Sequence, residues 1–306
     1  MVMMVGIEKF KRLNECPVCS SASLSAYRRS TFDLSSIKEE NLKITDKEYG
    51  KIWNLSRCLD CGHIFANPLP SPSFIYGLYQ KIEDPLYEEE ARGRSRNFLR
   101  ILSYLEKLHP LKGNLLDVGA ATGILVHLAL NRGWKAEGIE ASKWAVKEAK
   151  RKYKIQLYEG IFEEASLKKD FYQVVTMVDF IEHTPLPLEA LLRAREILHP
   201  QGTLCLVTPD IESTAAKLAG KNWWHYRPAH VSYFSFSSLA TLLGRAGFSI
   251  LKRRKYSWNF SAFYLLTRKN FLKRMTNSPY VATILKKVTL RLALGDSFEI
   301  YSKKKP

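Results

Sequence analysis

Two acids and two glycines at defined spacings are the residues of this sequence best suited to binding a cofactor. Asp117 lies in the apolar run at 115–118, Gly119 and Gly123 follow, and an amphipathic segment begins at residue 124. A strand, a tight turn and a helix start would bring backbone N–H groups close to a ligand. Glu140 ends the next apolar run, where a carboxylate can accept hydrogen bonds from both hydroxyls of a ribose. The pattern therefore predicts a site for a nucleoside-containing cofactor.

The spacing of the glycines narrows the class of nucleotide site. A dinucleotide-binding turn needs Gly-x-Gly-x-x-Gly, but Ala121 and Ile124 stand where its second and third glycines would be. A phosphate-binding P-loop is also excluded, because no Gly-Lys-Ser/Thr follows the turn. What remains is Asp-x-Gly-x-x-x-Gly, which indicates either a cofactor of another kind or an ordinary strand–turn–helix of an α/β protein.

A second group of side chains that can transfer protons or bind metal follows a predicted strand at 172–177. Asp179, Glu182 and His183 are spaced so that a helical turn would place them on one face, and His230 lies in a later loop. Either histidine can act as a general base for an acceptor hydroxyl. Alternatively, the four side chains bind a divalent metal that holds the acceptor's oxygens. A third interpretation is a helix cap in which Glu182 only orients His183.

The loop at 223–234 is rich in aromatic residues. They are Trp223, Trp224, Tyr226, Tyr233 and Phe234. Aromatic faces stack on sugar C–H groups and on bases, so we expect this loop to form a wall of the acceptor site. The alternative is that its rings only pack the loop against the domain.

Two Cys-x-x-Cys pairs near the start of the chain indicate a metal site. The four sulfur ligands are Cys16, Cys19, Cys58 and Cys61. Each pair can form a tight turn that places two thiolates on one Zn²⁺, and four thiolates complete a closed tetrahedral site. Such a site leaves no open coordination position, so the predicted zinc is structural. The long segment between the pairs is expected to be rich in strands.

An alternation of strands and helices must position these residues. Strand-like runs are found at 115–118, 136–140, 155–158, 172–177 and 203–208, and helical patterns at 124–131, 142–152 and 187–198. Strands that alternate with helices predict an α/β fold with a parallel sheet and helices on both faces. The later segments predict a helix at 235–247, a strand at 248–255, an amphipathic helix at 277–294 and a last strand at 297–302.

These patterns divide the chain into three parts. A zinc-binding module is predicted at 12–68 and a helical linker or cap at 69–112. The main domain is predicted at 113–306, with a helical insertion at 257–294 before the last strand.

The charge of the chain is strongly positive, at a formal +17. From residue 251 to 306 there are 14 Lys and Arg residues against two acids. Such a field attracts nucleic acid, anionic lipid headgroups or phosphorylated small molecules, or it is a solvated face. No apolar run is long enough to span a membrane, and residues 1–13 lack the pattern of a secretory signal. We therefore expect a cytoplasmic protein.

Several of these motifs together resemble class I S-adenosylmethionine-dependent methyltransferases. The turn at 117–123, Glu140 and the run at 174–183 are similar to successive motifs of that family, and the run at 191–202 is similar to the helix and turn before its fifth strand. The segments at 57–63 and 67–68 resemble the zinc-binding domain attached to bacterial methyltransferases. Some of those enzymes act on nucleotide-linked sugars, and their genes often lie among functions of polysaccharide biosynthesis.

The resemblance implies a seven-stranded Rossmann-like sheet with an antiparallel last strand, and it assigns a cofactor site. The residues assigned to S-adenosylmethionine are Asp117, Gly119, Ala121, Gly123, Glu140, Ala141, Ile161, Phe162 and Asp179. Glu140 would bind the ribose hydroxyls, and Ala141 or Ser142 would lie near the adenine. Ile161 and Phe162 would flank its other face, although Ile161 stands where many relatives have an acid that contacts the adenine amino group.

The resemblance also suggests the reaction. We expect methyl transfer to a hydroxyl or carbon of a small or carrier-linked anionic acceptor, such as a sugar nucleotide or glycan intermediate. The candidate catalytic residues are Asp179, Glu182, His183 and His230, whose spacing resembles a metal-binding pattern of small-RNA 2′-O-methyltransferases and ubiquinone-pathway O-methyltransferases. Alternatives are an RNA methyltransferase that uses the basic surface, and a scaffold without turnover. The amphipathic segment at 277–294 can either rest on a membrane surface or pack over the cleft.

Overall fold

The N-terminal part of the chain forms small antiparallel sheets in the computed structural model, which describes residues 9–43, 45, 49–267 and 278–305. Its strands are β1 (Phe10–Lys11), β2 (Leu24–Arg28), β3 (Leu55–Cys58), β4 (Ile64–Ala66) and β5 (Leu69–Pro70). β1 pairs with β5, while β2, β3 and β4 form a second sheet. The segment between the cysteine pairs, predicted to be strand-rich, has a strand at each end and two short 3-10 helices, Leu34–Ser36 and Glu39–Leu42.

Three helices follow this part; the first two line the cleft described below, and the third lines the smaller cavity beside it. They are α1 (Pro72–Tyr79), α2 (Pro85–Glu89) and α3 (Ala91–Leu108). Proline occupies the first turn of α1 and of α2, where a backbone N–H would have no acceptor within the helix, so its absence costs no hydrogen bond. The helical character predicted for 69–112 is confirmed in α3, where Phe98, Ile101, Leu102 and Leu105 are buried on one side of the helix.

The central part of the chain alternates strands and helices as the sequence predicts. Its strands are β6 (Asn114–Val118), β7 (Lys135–Glu140), β8 (Tyr158–Glu159), β9 (Tyr172–Val178) and β10 (Leu198–Pro209). Its helices are α4 (Ile124–Asn131), α5 (Lys143–Tyr153), α6 (Pro187–Ile197) and α7 (Thr214–Ala219), with 3-10 turns at Phe162–Glu164 and Gly220–Asn222. The short strand β11 (Ser232–Tyr233) and the helix α8 (Phe236–Arg245) come next.

The last part of the chain completes the sheet. It contains β12 (Phe248–Lys255), β13 (Trp258–Ser261), α9 (Ala262–Thr267), α10 (Pro279–Lys287), β14 (Thr289–Leu292) and β15 (Ser297–Lys304). The central sheet has seven strands in the order β12-β15-β10-β9-β6-β7-β8. β15 is antiparallel to β10 and β12, and the other neighbours from β6 to β10 are parallel. The Rossmann-like methyltransferase sheet with its antiparallel last strand is therefore confirmed.

Two strands of the sheet differ in extent from the prediction. Of the strand predicted at 155–158, only Tyr158 pairs with β7. The side chains of Ile155 and Leu157 pack instead in an apolar cluster with Val126 and Ala149. β10 starts five residues early, at Leu198, and its register with β9 is interrupted between Leu198 and Thr203.

The insertion before the last strand is only partly helical, so the prediction of one helix over 277–294 is wrong. Helix α10 ends at Lys287, Val288 is extended, and β14 pairs antiparallel with β13 from Ser261↔Thr289 to Trp258↔Leu292. The run from Val288 to Leu292 contains β-branched residues and alternates in polarity, a pattern that suits a strand. Residue 277, the predicted start of the helix, lies outside the described residues.

The N-terminal part and the central domain share a sheet and a core. β11 pairs antiparallel with β4, with Ser232 opposite Phe65. The fully buried indole of Trp53 donates a hydrogen bond to the carbonyl oxygen of Pro228 at 2.8 Å. The predicted division at 68 and 112 stays a prediction. Across the described ranges, no helix is both long enough and apolar enough to cross a membrane.

Candidate functional site

The turn after β6 has the backbone conformation that its glycines predict. Gly119, Ala121 and Gly123 have φ angles of 71°, 47° and 77°, and the N–H groups of Gly119 and Ala120 both donate to the carbonyl of Ile139 at 3.0 Å. A Cβ atom at Gly119 would lie 3.0 Å from the Phe180 ring in a conformation that side chains rarely adopt. Glycine therefore lets the turn fold back against the end of β7.

The carboxylate of Glu140 is fixed at this end of β7 by two backbone groups. Its Oε2 accepts a hydrogen bond from the N–H of Ala121 at 2.8 Å, and its Oε1 accepts one from the N–H of Ser142 at 2.7 Å. Burial raises the pKa of Glu140, and these backbone donors oppose that shift. A carboxylate has about four lone-pair sites, so about two remain to accept hydroxyl groups.

A cleft of about 990 Å³, including its open mouth, lies over this turn. Of the residues predicted to bind cofactor, those that line it are Gly119, Ala121, Glu140, Ala141, Ile161, Phe162 and Asp179. Its other side is formed by the helical cap, which contributes Tyr76, Tyr79, Ile82, Asp84 and Tyr87. The hydroxyl of Ser142 donates to the carbonyl of Ile82 at 2.8 Å, which ties the cap to the start of α5.

A smaller cavity of about 500 Å³ shares Tyr87, Gly119, Ala121 and Asp179 with the cleft. It places two acids, Asp117 and Asp179, in the same lining as the guanidinium of Arg94. Burial raises the pKa of both acids to about 7, and nearby arginines oppose the shift at Asp179. Gly123, which was also assigned to the cofactor site, is not among the described residues that line either cavity. It is the residue directly before α4.

The ring of His183 is held in one orientation by hydrogen bonds. Its Nδ1 lies 2.9 Å from the Tyr79 hydroxyl and 2.9 Å from the carbonyl oxygen of Ala229. A carbonyl oxygen can only accept, so we assign the ring proton to Nδ1, which leaves Nε2 with a free lone pair. Burial lowers the pKa of His183 to about 3, so the ring is neutral.

Glu182 and His230 lie beside this ring. The ligand atoms of Glu182, His183 and His230 all lie within 4.8 Å of one another, and the two histidine rings are 4.7 Å apart. Oε1 of Glu182 and Nδ1 of His230 are buried without a hydrogen-bond partner in the described part of the chain. Three of the four residues predicted to bind a divalent metal are therefore together. The fourth residue, Asp179, is not part of this cluster in the described part of the chain. It lines the two cavities instead.

The four cysteines form one cluster, as their spacing predicts. Sγ of Cys16 lies 3.6 Å from Sγ of Cys61, and Sγ of Cys19 lies 3.5 Å from Sγ of Cys58. Tetrahedral zinc with Zn–S bonds of about 2.3 Å separates its sulfurs by about 3.8 Å. Four thiols at this spacing are compatible with zinc. The fifth cysteine, Cys205, is buried in β10, as expected of a packing residue.

The aromatic loop is positioned differently from the prediction of an acceptor wall. None of its five rings lines either cavity within the described part of the chain. Trp223, Tyr226 and Tyr233 are buried in a core with Trp53 and Ile64 of the N-terminal part. The loop therefore packs the central domain against the N-terminal part, because its large apolar rings bury one face of the small N-terminal sheet.

Several residues at the site were not identified from the sequence. They are Tyr76, Tyr79, Tyr87, Arg94 and Trp258, which come from the cap and the insertion. The prediction of a helical cap at 69–112 does not reveal which distant residues its side chains will contact.

Comparisons with known proteins agree with the fold. A family model described as a methyltransferase domain matches residues 87–253, which is more than half of the chain. Among solved structures, the chain is similar to a SAM-dependent methyltransferase from Archaeoglobus fulgidus, with 17% identity, a TM-score of 0.50 and coverage of 72% of this chain and 100% of that one.

The chain is also similar to a 1,6-didemethyltoxoflavin-N1-methyltransferase from Burkholderia thailandensis, whose structure contains 1,6-didemethyltoxoflavin and S-adenosylhomocysteine. The identity is 15%, the TM-score is 0.49, and the match covers 81% of this chain and 98% of that one. No curated protein matches the sequence. The chain belongs to the methyltransferase-domain family, and it has the fold of S-adenosylmethionine-dependent methyltransferases.

Proposed function

We propose that the protein is a cytoplasmic enzyme that transfers a methyl group from S-adenosylmethionine to a small or carrier-linked acceptor. The observation that carries this proposal is the carboxylate of Glu140, which two backbone N–H groups orient at the edge of the cleft. Its free lone pairs suit the two hydroxyls of a ribose. S-adenosylmethionine supplies an electrophilic methyl group when it is bound.

The smaller cavity suits the amino-acid part of that cofactor. A methionine group carries an ammonium and a carboxylate, and the cavity presents two acids, Asp117 and Asp179, together with the Arg94 guanidinium. The guanidinium carbon lies 3.7 Å from the centre of the Tyr87 ring, a contact that holds a cation in place. We assign the ammonium group to the acids and the carboxylate to Arg94, because opposite charges pair best in a desolvated site.

His183 is the residue that we propose as general base. A neutral ring with its proton on Nδ1 can accept the acceptor's proton at Nε2. Tyr79 and the carbonyl of Ala229 would hold the ring in place during this transfer. His183 lines the cleft, so an acceptor hydroxyl can reach the residue. The other three predicted catalytic residues, Asp179, Glu182 and His230, remain proposals for positioning or metal binding.

A divalent metal at Glu182, His183 and His230 is the second candidate. It is favoured by the two buried atoms without partners, Oε1 of Glu182 and Nδ1 of His230, because such atoms are costly unless a ligand or water satisfies them. Such a metal would hold the acceptor's oxygens. For the four cysteines, we propose one structural Zn²⁺.

The proposed acceptor is an anionic sugar nucleotide or glycan intermediate. The net charge of +17 supports an anionic acceptor, since a positive field raises the local concentration of phosphorylated molecules. An RNA acceptor would use the same charge, so it remains the main alternative.

The test combines cofactor binding with labelled transfer. Calorimetry with S-adenosylhomocysteine should show one site per chain, and no binding would refute the enzyme and favour a scaffold. Deuterated S-adenosylmethionine should label members of a sugar-nucleotide panel, whereas labelling of tRNA alone would favour an RNA enzyme. His183→Ala should lower turnover by about 10²- to 10⁴-fold while S-adenosylhomocysteine affinity changes little. Unchanged turnover in both His183→Ala and His230→Ala would contradict the general-base and metal proposals, and metal analysis separates the two.

A further inference from the structure

The insertion before the last strand exposes a concentration of large apolar side chains. Among the described residues, sixteen large apolar side chains are exposed, and six of them lie between residues 280 and 294. The six are Tyr280, Val281, Ile284, Val288, Leu290 and Leu294. Tyr280 is 76% exposed and Ile284 is 46% exposed. The other ten are spread over residues 49–251, so this concentration is a local feature.

These six side chains lie on α10, on β14 and directly beside them, and we call them the insertion surface. Tyr280 and Ile284 are spaced by four residues and so lie on one side of α10, while Val288 follows the end of the helix and Leu290 lies in β14. The helix also contacts α9 and β13, so it is anchored to the domain on another side. Exposed apolar area of this kind is unfavourable in water and marks an interaction site.

Basic side chains lie among the apolar ones. Lys287 and Arg291 are exposed on the same segment, and Lys286 pairs with Glu89 of α2 at 3.0 Å. A second copy of the chain is disfavoured as the partner, because a symmetric contact would bring the two sets of cations together. RNA would pair with the cations but would leave the apolar side chains without a partner. An anionic bilayer offers its acyl-chain boundary to the apolar side chains and its phosphates to the cations.

We propose that the insertion surface docks the protein on an anionic lipid bilayer. Its apolar side chains would enter the boundary between headgroups and acyl chains, while Lys287 and Arg291 contact lipid phosphates. No helix among the described residues can span a membrane, so the association is peripheral. The same insertion supplies Trp258 to the smaller cavity, so docking would hold the cofactor site close to the membrane.

Sedimentation with lipid vesicles tests the proposal on the full chain. We expect binding to vesicles of about 70% phosphatidylcholine and 30% phosphatidylglycerol at low salt, and much weaker binding to pure phosphatidylcholine. The double variant Tyr280→Ser/Ile284→Ser should lower binding about tenfold. The matched control Leu111→Ser/Leu218→Ser removes side chains that are 98% and 84% exposed elsewhere, and it should leave binding unchanged.

Charge-reversal variants test the proposed contact between the basic side chains and lipid phosphates. Lys287→Glu should lower vesicle binding by about fivefold or more at low salt and less at high salt, whereas Lys107→Glu at the end of α3 should change it little. Absence of vesicle binding at low salt would overturn the proposal. If light scattering shows a dimer that Tyr280→Ser/Ile284→Ser dissociates, while vesicle binding is unchanged, the surface is a contact between copies. If the chain binds tRNA but not vesicles, the partner is RNA.

Discussion

Replacing Glu140 by glutamine would test the cofactor site by changing a single functional group. In the wild-type protein, the two carboxylate oxygens each accept one backbone N–H, from Ala121 at 2.8 Å and from Ser142 at 2.7 Å. The amide group of glutamine has nearly the same shape, but its NH₂ cannot accept. One backbone N–H then faces another donor, and one ribose hydroxyl loses its acceptor.

The size of the effect follows from the number of hydrogen bonds that change. A hydrogen bond to a charged group contributes about 1.5–3 kcal/mol, so the loss of one bond to ribose together with the donor conflict should cost about 2–3 kcal/mol. We therefore expect the dissociation constant of S-adenosylhomocysteine to rise about 30- to 150-fold.

Titration calorimetry with a matched control would measure this difference. Glu137→Gln changes an acid on the same strand, whose carboxylate accepts from the Tyr172 hydroxyl at 2.6 Å and which lies outside the cleft lining formed by the described residues. It should leave the affinity unchanged. Thermal unfolding of both variants shows whether the fold is retained. A rise of less than about threefold in folded Glu140→Gln would refute the assignment of the ribose to this carboxylate.

Three further predictions concern charge and metal. Arg94→Met should weaken S-adenosylhomocysteine binding by about 10- to 100-fold. The affinity for 5′-methylthioadenosine should stay as it is in the wild type, because that ligand has no amino-acid part. Equal losses of affinity for both ligands in calorimetry would contradict the assignment of the cofactor's carboxylate to Arg94. Burial, with a contribution from Glu140, raises the pKa of Asp117 from 3.8 to about 7, so the acid favours folding below its unfolded pKa and this contribution is lost as the pH rises through 7. Asp117→Asn should therefore flatten the fall in melting temperature between about pH 4 and 7, and an unchanged slope would argue against this contribution. Cys58→Ser should lower the zinc content measured by mass spectrometry from one ion per chain, whereas Cys205→Ala should keep it, and equal zinc in both variants would exclude a four-cysteine site.

The sheet and the cofactor turn are predictable from the sequence because their signals are local. The run from Asp117 to Gly123 contains the strand end, the positive φ positions and the N-cap of α4 in seven residues, and Glu140 ends the adjacent strand. The four cysteines are equally local, as each pair forms its own turn. Parallel strands place their carboxyl ends at one edge, so nearness of these groups in space follows from topology alone.

The rest of the site depends on long-range packing that no local pattern reveals. Tyr79 reaches the cleft and Arg94 reaches the smaller cavity only because the cap folds back over the sheet, and Ala229 contacts His183 across 46 residues. For the same reason the sequence does not distinguish the two interpretations of the aromatic loop, since exposed and buried aromatic clusters look alike in sequence. The segment at 288–292 was assigned to a helix because its strand partner lies about thirty residues earlier.

The pairing of β4 with β11 affects the synthesis of the chain. The sheet that begins with residues 24–66 cannot receive its last strand until residues 232–233 have left the ribosome. At about 5–20 residues per second, this interval of about 166 residues lasts roughly 8 to 33 seconds. During that time β4 has an open edge, and the apolar side chains around Trp53 lack their cover. An open edge invites pairing with other nascent chains. Early binding of the proposed Zn²⁺ by the four cysteines would hold the N-terminal part together over the interval, and we therefore expect the yield of native protein to depend on the zinc supply during translation.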